Sequence, residues 1–121
     1  MIVGRIDANL EAKIAVKIIV SDRNHDIDFL VDTGFNGFIA SPMTVVESLG
    51  LQLGEVQRGI TADGRSGYFD TVRVTIIWNK EAIQLHAQVL DEPLIGTRLL
   101  RGYALDAAWL PGDAFTLTQL S

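Results

Sequence analysis

Cysteine is absent from the 121 residues. This chain therefore has neither a disulfide framework nor a thiolate metal site. Histidine occurs only as His25 and His86, which lie too far apart to form a metal-ligand spacing, so no metal and no cofactor is expected. There is no basic run, and the formal net charge is −5, which argues against nucleic acid or an anionic membrane surface as a partner. No apolar stretch reaches the length of a membrane span. The segment Met1-Ile2-Val3-Gly4-Arg5-Ile6-Asp7 lacks the basic region and long apolar region of a signal peptide, so a cytoplasmic protein is expected. Linkers, low-complexity tracts and internal repeats are also missing. With 48% hydrophobic residues, the chain reads as one domain over residues 1–121 with a single core.

What is present is mostly alternation with period two. Ile14, Val16, Ile18 and Val20 alternate with Lys13, Ala15, Lys17 and Ile19, the pattern of a strand with one buried face. Ser21-Asp22-Arg23-Asn24 predicts a turn. Strands are expected over Ile27 to Val31, at Phe38-Ile39-Ala40, from Val56 to Thr61, and along a long arm from Tyr68 to Trp78. After a turn at Asn79-Lys80, another strand carries Ile83, Leu85, Ala87 and Val89 on one face. Tyr103 to Leu110 and Ala114 to Leu120 flank the turn Pro111-Gly112-Asp113. Ser41-Pro42 predicts a short helix with Ser41 as N-cap and Gly50 as its stop. Thr97 predicts a second short helix, ending before Gly102. About eight short strands and one or two short helices give a mainly β, barrel-like or sandwich-like class.

One tripeptide stands out. Asp32-Thr33-Gly34 directly follows the apolar run Phe29-Leu30-Val31. These three residue types are common in turns, but a carboxylate delivered by a buried strand is also a way to present a catalytic acid. Two further features follow in order. Asp63-Gly64 sits between strand-like runs as a hairpin signal. Leu94-Ile95-Gly96 is a second apolar pair ending in glycine.

In this order and spacing, from about Lys13 to Leu117, the chain resembles the retropepsin-like aspartic proteases. The run Val31-Asp32-Thr33-Gly34-Phe35-Asn36-Gly37-Phe38 and the segment Ala62-Asp63-Gly64 are most similar to the small chromosomal bacterial members. The resemblance implies a closed, barrel-like acid-protease fold and an aspartic endopeptidase, a hydrolase needing no metal. It implies Asp32, Thr33 and Gly34 as the catalytic loop. Gly34, Phe35 and Asn36 would line the substrate site, with Ala62, Asp63 and Gly64 in a flap above it. It further implies that Leu94-Ile95-Gly96 packs beneath the loop.

The chemistry needs two carboxylates, and one is encoded at this position. Two such groups in close contact share a proton, the ionised member activating water and the neutral one bonding the scissile carbonyl. The expected assembly is thus a homodimer with one Asp32 from each subunit across a two-fold axis, acting on a peptide or protein substrate. Thr33 has a hydroxyl able to tie the two loops together, and Gly34 permits their close approach.

The resemblance is incomplete. Viral members place a small residue after the motif glycine and an acid two beyond it, where this chain has Phe35 and Asn36. They also place arginine directly after the later glycine, where this chain has Thr97 and then Arg98. The acid–arginine brace of those enzymes is absent in that form. A second reading, from another class, is a protease-fold module that binds peptides or proteins without cleaving them.

Overall fold

The computed structural model describes residues 1–54, 56–60 and 66–120. Eleven strands and two short helices occur among them: β1 (Ile2–Ile6), β2 (Ala12–Val20), β3 (Arg23–Val31), β4 (Ile39–Ser41), α1 (Met43–Leu49), β5 (Gln57–Ile60), β6 (Ser66–Phe69), β7 (Thr71–Trp78), β8 (Glu81–Val89), β9 (Leu94–Ile95), α2 (Thr97–Leu100), β10 (Tyr103–Asp106) and β11 (Ala114–Gln119). The mainly β class expected from the alternation is the class observed.

Nine strands form one sheet in the order β10-β11-β1-β2-β3-β9-β4-β8-β7. β7 also pairs back onto β2, with Lys17 opposite Ile77 and Ile19 opposite Thr75. That pairing closes β2, β3, β9, β4, β8 and β7 into a six-stranded barrel. Closure removes the open edges of an isolated sheet. β10, β11 and β1 continue outward from β2 as a terminal sheet, while β5 and β6 pair as a separate two-stranded sheet.

The alternating residues explain the barrel wall. Ile14, Val16 and Ile18 of β2 are buried, as are Val72, Val74, Ile76 and Trp78 of β7. Both β2–β3 and β7–β8 are tight hairpins. Their two central residues lie in the left-handed region, Ser21 (φ 47°) with Asp22 (φ 67°), and Asn79 (φ 49°) with Lys80 (φ 69°). Turns of that hand match the right-handed twist of paired strands. The core is continuous from the barrel into the terminal sheet, joining Phe29, Ile39, Ile76 and Ile95 to Ile6, Phe115 and Leu117.

Several boundaries differ from the sequence expectation. Ser41 does not cap α1. Its backbone belongs to the β4–β8 ladder opposite Val89, and its carbonyl accepts the Leu90 N–H. The residue before proline also disfavours helical backbone, so Pro42 holds the N-cap position (ψ 155°). Gly50 ends that helix in left-handed backbone (φ 68°) as expected. Thr97 begins α2 rather than capping it, and Gly96 is the N-cap. The long arm from Tyr68 to Trp78 is interrupted at Asp70, where β6 leaves for the small sheet and β7 enters the barrel. The strand expected over Tyr103 to Leu110 stops at Asp106. Beyond it Trp109 takes left-handed backbone (φ 59°), and Ile6 bonds through its N–H to Asp113 O and through its carbonyl to Gly112 N–H.

Candidate functional site

β3 delivers its chain end to Asp32. Phe29 is fully buried, and Leu30 and Val31 pair in parallel with Leu94 and Ile95 of β9. The Asp32 backbone N–H donates to Ile95 O at 2.9 Å. The apolar run before the motif and the later apolar pair thus meet as neighbouring strands, with Val31 opposite Ile95 one residue before Asp32.

The loop from Asp32 to Phe38 then folds over the start of α2. Asp32 Oδ1 accepts the Gly34 N–H at 2.9 Å, and the Phe35 N–H reaches Asp32 O at 3.2 Å. Three carbonyls of the loop, those of Phe35, Gly37 and Phe38, accept from the β9–α2 corner. Gly96 N–H donates to Phe38 O at 3.0 Å, Thr97 N–H to Phe35 O at 2.9 Å, and Arg98 N–H to Gly37 O at 3.2 Å. The Thr97 hydroxyl lies 3.4 Å from Phe35 O and 3.3 Å from Asn36 Oδ1. A loop with so many of its carbonyls accepted is held by backbone contacts rather than by packing alone.

Gly96 makes this contact possible. An added Cβ would overlap the Gly37 carbonyl oxygen and stand 2.7 Å from both Phe35 O and Phe35 Cδ2. Glycine is needed here for close backbone approach, not for an unusual dihedral angle. The glycine at the end of Leu94-Ile95-Gly96 therefore serves the Asp32 loop directly.

The expected site residues are distributed as follows. Asp32 is half-buried, and Thr33, Gly34 and Asn36 are exposed. Asp32 Oδ1 is engaged by Gly34, and Oδ2 has no hydrogen-bond partner among the described residues. The Phe35 ring turns back under its own loop, against Gly37 and Gly96, and is half-buried there. Ala62, Asp63 and Gly64 lie outside the described residues, although β5 and β6, the strands on either side of them, do pair antiparallel.

Four residues near the loop are not among the site residues expected from the sequence: Phe38, Thr97, Arg98 and Arg101. Phe38 is exposed, and the Arg98 guanidinium lies over its ring, 5.7 Å from the centroid. With Asn36, Thr97 and Arg101, these two side chains line a shallow concavity beside the loop. The signal for Thr97 is its place after Gly96; a hydroxyl there reads equally well as a helix cap.

Among the described residues, no three His, Cys, Asp or Glu side chains come together as a metal-binding group. No helix among them is long and apolar enough to cross a membrane. The chain matches no family model, no curated protein and no solved structure.

Proposed function

We propose that this chain is one half of a homodimeric aspartic endopeptidase with a retropepsin-like fold, in which Asp32 from each subunit forms the catalytic pair. The observation that carries the reading is the seating of the Asp32 loop on the Leu94-Ile95-Gly96 corner. Two sequence features far apart in the chain, each ordinary alone, meet through backbone hydrogen bonds and one obligatory glycine. A merely decorative turn has no need of such a support, whereas a carboxylate that must meet a second carboxylate in fixed geometry does.

In this reading a water lies between the two Asp32 side chains. The ionised carboxylate removes its proton as it attacks the scissile carbonyl, and the protonated partner donates to the carbonyl oxygen. Asp32 Oδ1, which accepts the Gly34 N–H, fixes the carboxyl plane, and Oδ2 is the oxygen left for chemistry. Thr33, exposed on the single chain, ties one loop to the other. The β5–β6 sheet is the flap, and an extended peptide lies beneath it as an added strand.

The deciding experiment compares wild-type protein with Asp32→Asn on a mixture of unstructured peptides. Cleavage by the wild type and none by the variant, with both sedimenting as dimers, is the expected result. Equal cleavage by both preparations would refute the assignment of Asp32.

A further inference from the structure

The concavity beside the Asp32 loop is lined by Asn36, Phe38, Thr97, Arg98 and Arg101. This lining contains two guanidinium groups and no carboxylate. Among the described residues the ion pairs are Lys13–Asp7 and Lys17–Asp26, so neither arginine is neutralised there. Arg98 is positioned by the Phe38 ring beneath it, a contact that reduces the rotamer freedom a ligand would otherwise have to remove. Asn36 Oδ1 faces the Thr97 hydroxyl, which leaves the Asn36 amide N–H groups as further donors. The wall thus offers donors and positive charge with few acceptors.

A ligand complementary to this wall carries negative charge on acceptor atoms in a plane, as a carboxylate does; arginine pairs with it through two parallel N–H bonds. The remainder of the molecule is acidic, with a formal net charge of −5. Exposed acids farther than about 8 Å from a ligand are largely screened at physiological ionic strength, so the two arginines in contact with it weigh more than the net charge. The geometry points to a carboxylate subsite: Arg98 and Arg101 receive the side chain of an Asp or Glu in a peptide lying along the Asp32 loop. This inference rests on the peptidase reading for the presence of a peptide there, and on the arginines alone for its charge.

Binding is measured on the Asp32→Asn protein, so that the ligand is not consumed. Two fluorescein-labelled peptides of equal length, identical except for Glu in one and Gln in the other, are titrated by fluorescence anisotropy. The Glu peptide is expected to bind about tenfold more tightly or better, the scale of a charge-assisted hydrogen bond, and to lose that advantage in high salt. R98Q/R101Q in the same background brings the two peptides within about twofold of each other. R98K/R101K falls between, because lysine keeps the charge and loses the planar fork. Equal binding of the two peptides, or a preference that survives R98Q/R101Q, overturns the subsite.

A second arm uses protein with Asp32 intact and a randomised peptide mixture. Cleavage with Asp or Glu enriched at one fixed distance from the cut, lost in R98Q/R101Q, supports the inference. Cleavage with no acidic preference overturns it and leaves the peptidase reading in place. Absence of cleavage together with Glu-selective binding refutes the peptidase reading and leaves the subsite in place. Sedimentation covers one other source of the carboxylate: a dimer dissociated both by R98Q/R101Q and by the Glu peptide would assign the arginines to a second copy of the chain and overturn the inference.

Discussion

Gly96 lies so close to Gly37 that a Cβ on the former would overlap the carbonyl oxygen of the latter. The obstacle is backbone, so no rotamer change can clear it. The corner between β9 and α2 and the loop after β3 are therefore fitted to one another at the main chain, and substitutions there report on the loop as a unit.

Gly96→Ala is expected to destabilise the fold by about 1–3 kcal/mol, the usual cost of overpacking a tight contact, read from urea unfolding. Because the collision displaces Gly37 and Phe35, peptide cleavage should fall even at temperatures where the variant remains folded. Wild-type stability and activity in Gly96→Ala would show that the loop is not seated on this corner.

Asp32→Asn is expected to remove cleavage at little cost in stability, within about 0.5 kcal/mol of wild type. The asparagine Oδ1 can still accept the Gly34 N–H that Asp32 Oδ1 accepts at 2.9 Å. Circular dichroism and urea midpoints check the fold, and a fluorogenic peptide checks activity. Wild-type cleavage should persist in chelators, because the proposed reaction uses no metal.

Phe115→Ala tests whether the terminal sheet belongs to the same cooperative unit as the barrel. Phe115 is 1% exposed and packs in the cluster that includes Ile6 and Leu117. Truncation should cost about 3–5 kcal/mol and lower a single unfolding transition. A loss below about 1 kcal/mol, or a separate early transition, would mean that the terminal strands melt on their own.

Asp7 supplies a pH-dependent term. Its carboxylate accepts the Glu11 and Asn9 N–H groups and lies 3.7 Å from Lys13. The Glu11 N–H bond is the main cause that holds its pKa below the usual carboxylate value, with the Asn9 bond and Lys13 adding to it against some desolvation. A carboxyl with a lowered folded-state pKa stabilises the protein fully above its unfolded pKa, and that stabilisation is lost as pH falls through the folded value. Asp7→Ala should therefore be less stable than wild type near neutrality, with the difference shrinking in acid. A pH-independent difference in denaturant midpoint would exclude this origin.

Much of the fold was legible because burial on one face of a strand repeats every second residue. Ile14, Val16 and Ile18, and likewise Val72, Val74, Ile76 and Trp78, are buried where the alternation puts them. Boundaries were less legible wherever a distant partner decides them. Ser41 reads as a helix cap until β8 claims its backbone, and Thr97 reads as a cap until Phe35 and Asn36 stand beside its hydroxyl. The placement of Asp32 at a strand end, and the nearness of Leu94-Ile95-Gly96 to it, came from motif order. The Arg98–Phe38 stacking did not, because an exposed arginine three residues past an apolar pair has no periodic signature. The packing of the Phe35 ring was equally hidden: no pattern in the sequence shows that it lies against Gly37 and Gly96.

The distance in sequence between the Asp32 loop and its support sets an order of assembly. The loop is spelled out by residue 38, but its hydrogen bonds are to Ile95, Gly96, Thr97 and Arg98. Contacts between segments so far apart carry a loop-closure cost and form late in folding. On a ribosome, β2 and β3 can pair as a hairpin long before the corner that holds Asp32 has been synthesised. A nascent chain stopped short of Leu94 would carry Asp32 without the strand and corner that hold its loop, so the loop is fixed only once residues 94–98 have been made.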